Sequence, residues 1–359
     1  MEEAARLLEF AKGARVPGGF GWLDDDGRPD PARGTPLWIT ARMTHVFALG
    51  RLLGHPDSAA FCDHGLAALP PAGGEDAYAH AFVVLAAASA AIAGRPGAEE
   101  ALAAACAGAE RRFWREDEGA CADDEPYRGA NANMHMVEAF LAAGDATGDP
   151  VWAARALRIA TRLVEAARAD GWRMPEHFDA RWGPLPDYNA DAPRHPFRPF
   201  GVTPGHGLEW ARLLLHLRAA LDAPPGWLEP AARSLSDRAW ADGWDEERGG
   251  FAYTTDRTGS PVVADRFHWV VCEAIATAAV LGDAEHERAA RRFAERHLID
   301  RERGGWRHEL DSENRPAART WQGKPDVYHA LQATLIPGLP VRPSVAAAVA
   351  TSRPGWSRT

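Results

Sequence analysis

The strongest constraint on the fold is a regular alternation of helices and connections along the chain. Helical periodicity, interrupted by Gly, Pro and Asp, predicts twelve helices. Their approximate ranges are 2–12, 36–53, 57–69, 76–93, 98–115, 132–147, 150–169, 205–221, 227–242, 267–281, 284–299 and 326–336. The connections that precede the third, fifth, seventh, ninth and eleventh helices are short, and short links join antiparallel helix pairs. The chain is therefore predicted to contain six helix hairpins.

The connections that precede most even-numbered helices are long and rich in Gly, Trp and Asp. Three of them carry related sequences: GGFGWLDDDG from Gly18, DGWDEERGGFAYTTDRTG from Asp242 and RERGGWRHELDSENR from Arg301. Six hairpins at a spacing of roughly 50 to 60 residues predict an all-α fold, an (α/α)6 barrel with small β-hairpins in the long loops at one end. An open solenoid is the alternative, although such arrays usually repeat at a shorter and more regular period. Residues 1–340 are expected to form this single domain and residues 341–359 a C-terminal tail.

Composition supports a helical protein and excludes several partners. The 359 residues include 72 Ala and only six Ile, which favours helices over sheets. A net charge of -10 with scattered Arg gives no basic surface for nucleic acid or anionic lipid. The sequence shows neither a signal peptide at its start nor an apolar run of transmembrane length. Four widely spaced Cys without a CxxC pair fit a reducing, cytoplasmic setting.

Polar and aromatic residues collect near the starts of the even-numbered helices. In a double ring of helix hairpins the inner helices run in the same direction, so side chains at their N-terminal ends would line one pocket. The residues in question are Trp38, Arg42, Tyr78, His80, Asn131, His135, His206, Glu209, His268, Trp269, Tyr328 and His329. The pattern predicts that the even-numbered helices form the inner ring and that its mouth holds the functional site.

Two of these helices carry a His and a Glu three residues apart. In HGLEW, Glu209 could orient the imidazole of His206 and favour its protonated form, and a surface ion pair is the alternative. NANMHMVEA repeats the spacing with His135 and Glu138 and adds Asn131 one turn earlier. Buried structural hydrogen bonding is the alternative there.

Other candidates are single residues. Arg42 has apolar neighbours and needs an anionic or hydroxyl-rich partner, which a substrate or a structural salt bridge could supply. His329 follows a helix start at Pro325 and is predicted to be functional because of its place in the pattern. The remaining three histidines of interest, His45, His80 and His268, are interpreted as mainly structural.

Sequence motifs for other chemistries are absent. No HExxH, DxD or Cys/His cluster accompanies the histidines, so no metal site is predicted. Neither GxGxxG after a strand nor GxxxxGK[ST] occurs, and GxSxG is missing as well. The sequence therefore gives no indication of a nucleotide cofactor or a serine nucleophile.

Four segments resemble the N-acylglucosamine 2-epimerase superfamily, which includes mannose isomerases, sulfoquinovose isomerase and cellobiose 2-epimerases. The segments are TARMTHVFALG, NANMHMVEAFLAAGDATGD, FGVTPGHGLEWARLLL and GKPDVYHALQATLIP, and the similarity extends from about Trp38 to Pro337. The resemblance implies a cofactor-independent enzyme on an (α/α)6 barrel. It would move a proton between C1 and C2 of an aldose through an enediol.

The resemblance also implies roles for individual residues. His206, with Glu209 as its paired carboxylate, and His329 would be catalytic. The implied sugar-binding residues are Arg42, Asn131 and His135, with Tyr78 and Trp321 matching less closely. Glu138, from the His/Glu spacing, and Trp269, from the helix-start pattern, are added to the predicted substrate-binding set. The motifs are shared by isomerases and epimerases, so they do not choose between the two outcomes.

The expected function is isomerisation of a free monosaccharide, with conversion of D-mannose to D-fructose favoured. A sugar 2-epimerase is the first alternative. Arg194, His195 and Arg198 could receive a sulfonate, which keeps sulfoquinovose as a substrate, or merely brace their loop. A glycoside hydrolase using Glu138 and Glu209 and a non-catalytic sugar-binding protein are more remote. The expected protein is a monomer or homodimer that needs no cofactor.

Overall fold

The computed structural model describes residues 2–71 and 73–352, and helices dominate this part of the chain. The helices are α1 Glu2–Lys12, α2 Leu37–Leu53, α3 Ser58–Ala68, α4 Ala77–Ile92, α5 Ala98–Arg112, α6 Ala130–Thr147, α7 Val151–Ala169, α8 Pro204–Ala220, α9 Leu228–Gly243, α10 His268–Leu281, α11 Ala284–Phe293, α12 Tyr328–Leu335 and α13 Val345–Thr351. Within the described residues, none of these helices has the length and apolarity needed to cross a membrane.

The even-numbered helices form a closed inner ring. Each of α2, α4, α6, α8, α10 and α12 packs against its neighbours in the ring, and α12 closes the circle against α2. The odd-numbered helices α3, α5, α7, α9 and α11 pack outside, each against the inner helix that precedes it in the chain. This double ring is the predicted (α/α)6 barrel.

Burial explains which helices take the inner positions. In α4 every residue from Ala77 to Ala90 except Tyr78 is buried, because the helix is apolar on all sides and touches neighbours all round. The outer helix α11 buries only Ala290 and Phe293 and exposes a charged face. Small Ala side chains let the inner helices approach closely around the barrel axis.

Short antiparallel strands occupy the long connections, as predicted. The strands are β1 Arg15–Val16, β2 Gly19–Phe20, β3 Trp114–Arg115, β4 Ala120–Cys121, β5 Tyr127–Gly129, β6 His177–Asp179, β7 Thr254–Thr255, β8 Pro261–Val263, β9 Arg266–Phe267 and β10 Glu309–Leu310. The pairs β1–β2, β3–β4 and β7–β8 are local hairpins. The other two pairs join separate connections, with Arg128 opposite Phe178 and Phe267 opposite Glu309. These pairs tie neighbouring loops together where they lead into the inner helices.

Two helix ends differ from the prediction by three residues or more, and one helix was not predicted. Helix α5 ends at Arg112 rather than 115, because Trp114 and Arg115 pair with β4. Helix α11 ends at Phe293 and continues as one π-helical segment to Leu298. Helix α13, which was not predicted, begins at the Ser344 cap and lies in the segment assigned to the tail; residues 353–359 of that segment lie outside the described residues.

Helix α13 covers the end of the barrel opposite the long loops. Its neighbours are α2, α4 and α6. The carbonyl of Arg342 accepts a hydrogen bond from the ring of His216, far along α8, and Val345 and Val349 are buried. With this end closed, access to the barrel interior is from the N-terminal ends of the inner helices.

Candidate functional site

One pocket lies at the N-terminal ends of the inner helices. All six inner helices contribute side chains to its wall: Trp38, Arg42, Tyr78, Asn131, His135, His206, Glu209, His268, Trp269 and His329. Connecting loops add Pro196, Phe197, Pro199, Tyr253, His308, Trp321, Pro325 and Asp326. Of the ten residues predicted for the site, the structure brings nine together in this wall, and the exception is Glu138.

His206 is oriented by Glu176. Pro204 begins α8, which places His206 in its first turn, and Glu176 directly precedes β6. The Nδ1 atom of His206 lies 2.9 and 2.8 Å from the two carboxylate oxygens of Glu176. Burial raises the pKa of Glu176, but the charge and hydrogen bond of His206 outweigh it and hold this pKa below its usual value. Glu176 is therefore an ionised carboxylate that leaves Nε2 of His206 for the pocket.

The predicted pairing of His206 with Glu209 is wrong, because the hydrogen bonds of Nδ1 go to Glu176. The nearest basic neighbours of Glu209 are His135, whose Nδ1 lies 3.7 Å from Oε1, and Arg212, whose Nη2 lies 3.6 Å away. Among the described residues, Oε1 of Glu209 has no hydrogen-bond partner. Burial and the nearby charge of Glu273 raise the pKa of Glu209 well above its usual value, despite Arg212. Compared with an ordinary carboxylic acid, Glu209 therefore favours its protonated form.

His329 has a carboxylate partner of its own, on a neighbouring inner helix. Its Nδ1 lies 3.0 Å from Oε1 of Glu273, and Nε of Arg212 donates to Oε2 of the same carboxylate at 2.8 Å. Burial raises the pKa of Glu273, but Arg212 and His329 outweigh it and bring it to about 2. Burial lowers the pKa of His329 despite Glu273, so the ring favours its neutral form. A neutral, oriented imidazole is suited to act as a general base.

Arg42 forms the structural salt bridge that was one of its two predicted roles, and it also lines the pocket. Its Nη1 donates to Oδ2 of Asp326 at 3.2 Å, which is a buried salt bridge, and its Nη2 donates to the hydroxyl of Tyr78 at 3.0 Å. The guanidinium also lies over the ring of Phe82, 4.3 Å from the centroid. Arg42 is therefore held rigidly where it lines the pocket.

Glu138 lies behind the pocket. Its Oε2 accepts a hydrogen bond from the hydroxyl of Tyr328 and its Oε1 one from Nε2 of Gln332 at 3.2 Å. Nδ1 of His135 is 3.9 Å from the same carboxylate. The structure thus gives Glu138 the buried structural hydrogen bonding that was the alternative reading, whereas His135 reaches the wall.

Aromatic side chains line the pocket. The ring of Trp269 contacts both histidines, with centroids 5.1 Å from His206 and 5.8 Å from His329. Trp321 stacks on Trp22 at 5.7 Å and contacts Phe197 edge-on at the loop side of the pocket. Such a lining suits a sugar, whose ring faces are apolar.

The secondary candidates fall into two groups. His45 and His80 are structural: Nδ1 of His45 is 2.7 Å from the hydroxyl of Ser89, and Nε2 of His80 is 2.8 Å from the carbonyl of Ala105. His268 lines the pocket and stacks on the ring of His308 with centroids 3.6 Å apart.

Arg194, His195 and Arg198 of the α7–α8 connection brace that loop. Arg194 pairs with Asp265, and Nη2 of Arg198 lies 2.6 Å from Glu125. Nδ1 of His195 accepts hydrogen bonds from the backbone N–H groups of residues 197 and 198. The charges of Arg194 and Arg198 are therefore matched by carboxylates.

Two groups of side chains have the donor atoms that a cation would need. They are His135, Glu138 and Glu209, and Glu209, Glu273 and His329, with donor atoms within 4.8 Å of one another. Both groups border Arg212, which already supplies positive charge to Glu273 at hydrogen-bonding distance. The donor set suits proton transfer better than a resident cation, and metal independence stays a prediction.

Sequence reasoning missed Glu176, Glu273, Tyr253 and His308. A signal for Glu273 exists in the sequence, since it is the single charge in the apolar run WVVCEAIATAAV of α10. The hydropathy around Glu176 gives no comparable signal. Asp326 was noted only as a helix-start residue.

Two carboxylate-oriented imidazoles around one pocket in an (α/α)6 barrel define an enzyme that transfers protons. The profile of the N-acylglucosamine 2-epimerase (GlcNAc 2-epimerase) family matches residues 18–333, and the chain belongs to this family.

Similar proteins agree with this assignment. The chain is 51% identical to a D-mannose isomerase of Thermobifida fusca, over 97% of this chain and 96% of the relative. It is 47% identical to a D-mannose isomerase of Pseudomonas cannabina pv. alisalensis, over 97% and 94% of the two chains. A crystal structure of a D-mannose isomerase superposes with a TM-score of 0.85 at 28% identity, covering 94% of this chain and 96% of the other.

Proposed function

We propose that the protein isomerises D-mannose to D-fructose without a metal or organic cofactor. The observation that carries the proposal is the pair of imidazoles, His206 and His329, each anchored at Nδ1 by a buried carboxylate and each lining the same pocket. The identity to D-mannose isomerases over nearly the whole chain supports the choice of sugar.

The chemistry needs a base, an acid and a way to open the sugar ring. The C2 proton becomes acidic only beside the C1 aldehyde of the open chain, so ring opening comes first. In the proposal, His206 with Glu176 moves the protons of the ring oxygen and O1 during opening.

The proton then moves from C2 to C1 by way of His329. Nε2 of His329 takes the C2 proton, the C–H electron pair forms the C1–C2 double bond, and O1 gains a proton to give a cis-enediol. His329 returns its proton to C1 on the same face while O2 loses its proton and becomes the ketone. Glu209, whose pKa is raised, lines the same pocket and is proposed to exchange protons with O1 and O2. Overall, one proton moves from C2 to C1 and one from O2 to O1.

The geometry disfavours two of the alternatives. A sulfonate would need an available cation, and Arg194 and Arg198 are each paired with a carboxylate. A glycoside hydrolase would need two carboxyl groups flanking a bond in the pocket, and Glu138 lies behind the wall with its oxygens bound to Tyr328 and Gln332. Epimerisation uses the same two histidines and remains an outcome for experiment to decide.

The test is incubation of the protein in deuterated water, after exhaustive EDTA treatment, with mannose, glucose, lyxose, N-acetylglucosamine and sulfoquinovose separately. Products and deuterium at C1 and C2 are followed by NMR. We expect fructose from mannose. Glucose carrying deuterium at C2 as the main product would indicate an epimerase, and activity that returns only with one divalent ion would contradict metal independence.

A cytoplasmic location is part of the proposal and is supported by four buried, unpaired cysteines.

A further inference from the structure

Tyr253 is held in the pocket wall by contacts that do not involve its hydroxyl. Its ring stacks on Phe267 with centroids 4.1 Å apart and meets Trp269 edge-on at 6.4 Å. Its backbone N–H donates to the carbonyls of Val263 and Asp265 at 2.9 and 3.0 Å. The side chain is 3% exposed. The position of the ring is therefore fixed by packing and by the backbone.

The hydroxyl of Tyr253 differs from those of the other tyrosines. The chain has five tyrosines, all within the described residues. Four have hydroxyl partners in the protein: Tyr78 with Arg42, Tyr127 with His177, Tyr188 with Arg198, and Tyr328 with Glu138. Among the described residues, the hydroxyl of Tyr253 has none, although its residue lines the pocket. The hydroxyl oxygen is not one of the fully buried atoms without a partner, so it keeps accessible surface that a ligand hydroxyl can reach.

The chemistry of this group fits a neutral sugar hydroxyl. Burial raises the pKa of Tyr253, so the group stays protonated and offers one donor and one acceptor. A sugar hydroxyl has the same two capacities. The ring of Tyr253 contacts Trp269, whose ring also contacts those of His206 and His329. Within the described residues, Tyr253 itself makes no ring contact with either histidine. The catalytic histidines serve C1 and C2, which leaves the rest of the hexose for Tyr253.

We propose that Tyr253 is a specificity-determining residue whose hydroxyl hydrogen-bonds the C3, C4 or C6 hydroxyl of the hexose. The inference rests on the proposed function and adds a hydrogen bond that recognises one hydroxyl group of the sugar. A site that hydrogen-bonds a substrate hydroxyl discriminates against the analogue lacking it.

Tyr253→Phe tests the inference because it removes one oxygen and keeps the stack on Phe267. kcat/KM is measured for wild type and variant with mannose and with its 3-, 4- and 6-deoxy analogues. We expect ~5- to 30-fold loss with mannose and with two of the analogues. For the third analogue, which lacks the partner hydroxyl, wild type and variant are expected to be equal. Tyr188→Phe is the matched control, and it should leave all four values unchanged.

The outcomes separate this inference from the proposed function. If wild type does not turn over mannose, the proposed function fails and the inference fails with it. If wild type is active and Tyr253→Phe equals it on mannose, only the inference is overturned. An equal loss on mannose and on all three analogues would also overturn it, because a structural defect does not distinguish hydroxyl positions.

Discussion

Glu176→Gln should impair catalysis strongly without changing the shape of the site. The substitution keeps an oxygen that accepts the Nδ1–H of His206, and the Thr203 N–H, 3.3 Å from Oε1, retains an acceptor. It removes the negative charge that stabilises an imidazolium. It also introduces an amide N–H₂, which can donate to Nδ1 and so select the tautomer that carries its proton on Nε2. That tautomer has no lone pair for the substrate.

The magnitude follows from the charge separation. With Nδ1 and the carboxylate at 2.8 Å, the centres of the two charges lie about 4 Å apart, and a unit pair at that distance with an effective dielectric constant of 20 interacts by about 4 kcal/mol. At about 1.4 kcal/mol per tenfold change in rate, complete loss of this term corresponds to roughly 10³-fold in kcat. Residual polar contacts reduce it, so the expected loss is 10² to 10³-fold, within the usual range for a positioned acid or base.

The assay compares kcat and KM for mannose, with fructose measured enzymatically, in wild type, Glu176→Gln and Glu176→Ala. Because Glu176 is expected to act through His206, kcat should fall while KM changes little. Glu118→Gln is the control, since this carboxylate is bound to Arg128 away from the pocket. A folded Glu176→Gln protein with kcat within a few-fold of wild type would refute the assigned role of the carboxylate.

Three other outcomes are expected. His329→Ala should abolish both the conversion of the sugar and the exchange of its C2 proton with solvent, measured by NMR. His206→Ala should regain C2 exchange when an open-chain analogue is supplied. The opposite pattern would reverse the roles of the two histidines. Gly205→Ala should lower kcat at least tenfold, since its Cβ would lie 2.5 Å from the Trp269 ring, and a crystal structure or kinetics showing an undisturbed ring and rate would contradict this. The pKa of buried His45 is lowered to about 4, chiefly by burial. Between pH 6.5 and 4 the unfolded chain therefore binds a proton at this histidine that the folded protein does not bind. The free energy of unfolding should fall across this range by up to about 3 kcal/mol because of His45. Thermal unfolding of His45→Gln should show a shallower pH dependence there, and an unchanged slope would exclude this contribution.

The inner ring could be predicted from the sequence because polar and aromatic residues collect near the starts of the even-numbered helices. The structure agrees with this, since inner helix α4 is apolar on all sides and outer helix α11 has one narrow apolar stripe. The length of the connections then gives the pairing into hairpins. Together these patterns fix which helix ends meet, and hence which side chains share a pocket.

Features set by contacts between distant segments could not be predicted in the same way. The β9–β10 pair joins two different loops through Phe267 and Glu309, and neither two-residue strand has a periodicity to detect. Helix α13 is short and contains no polar face, so its sequence resembles a flexible Ala-rich tail until Val345 and Val349 are seen packed against the barrel.

The carboxylate partners of the catalytic histidines show the same limit at the site itself. Spacing along one helix pointed to Glu209 for His206, a rule that describes side chains side by side on an exposed helix surface. Inside the ring every inner helix faces two others, and the actual partners, Glu176 and Glu273, are 30 and 56 residues away in the chain. Arg212 balances the charge of Glu273 at 2.8 Å but is 3.6 Å from Glu209. The nearer carboxylate, Glu273, has a lowered pKa and orients an imidazole, whereas the pKa of the farther one, Glu209, is raised. This difference is the basis for proposing Glu209, and not Glu273, as the group that exchanges a proton with the sugar.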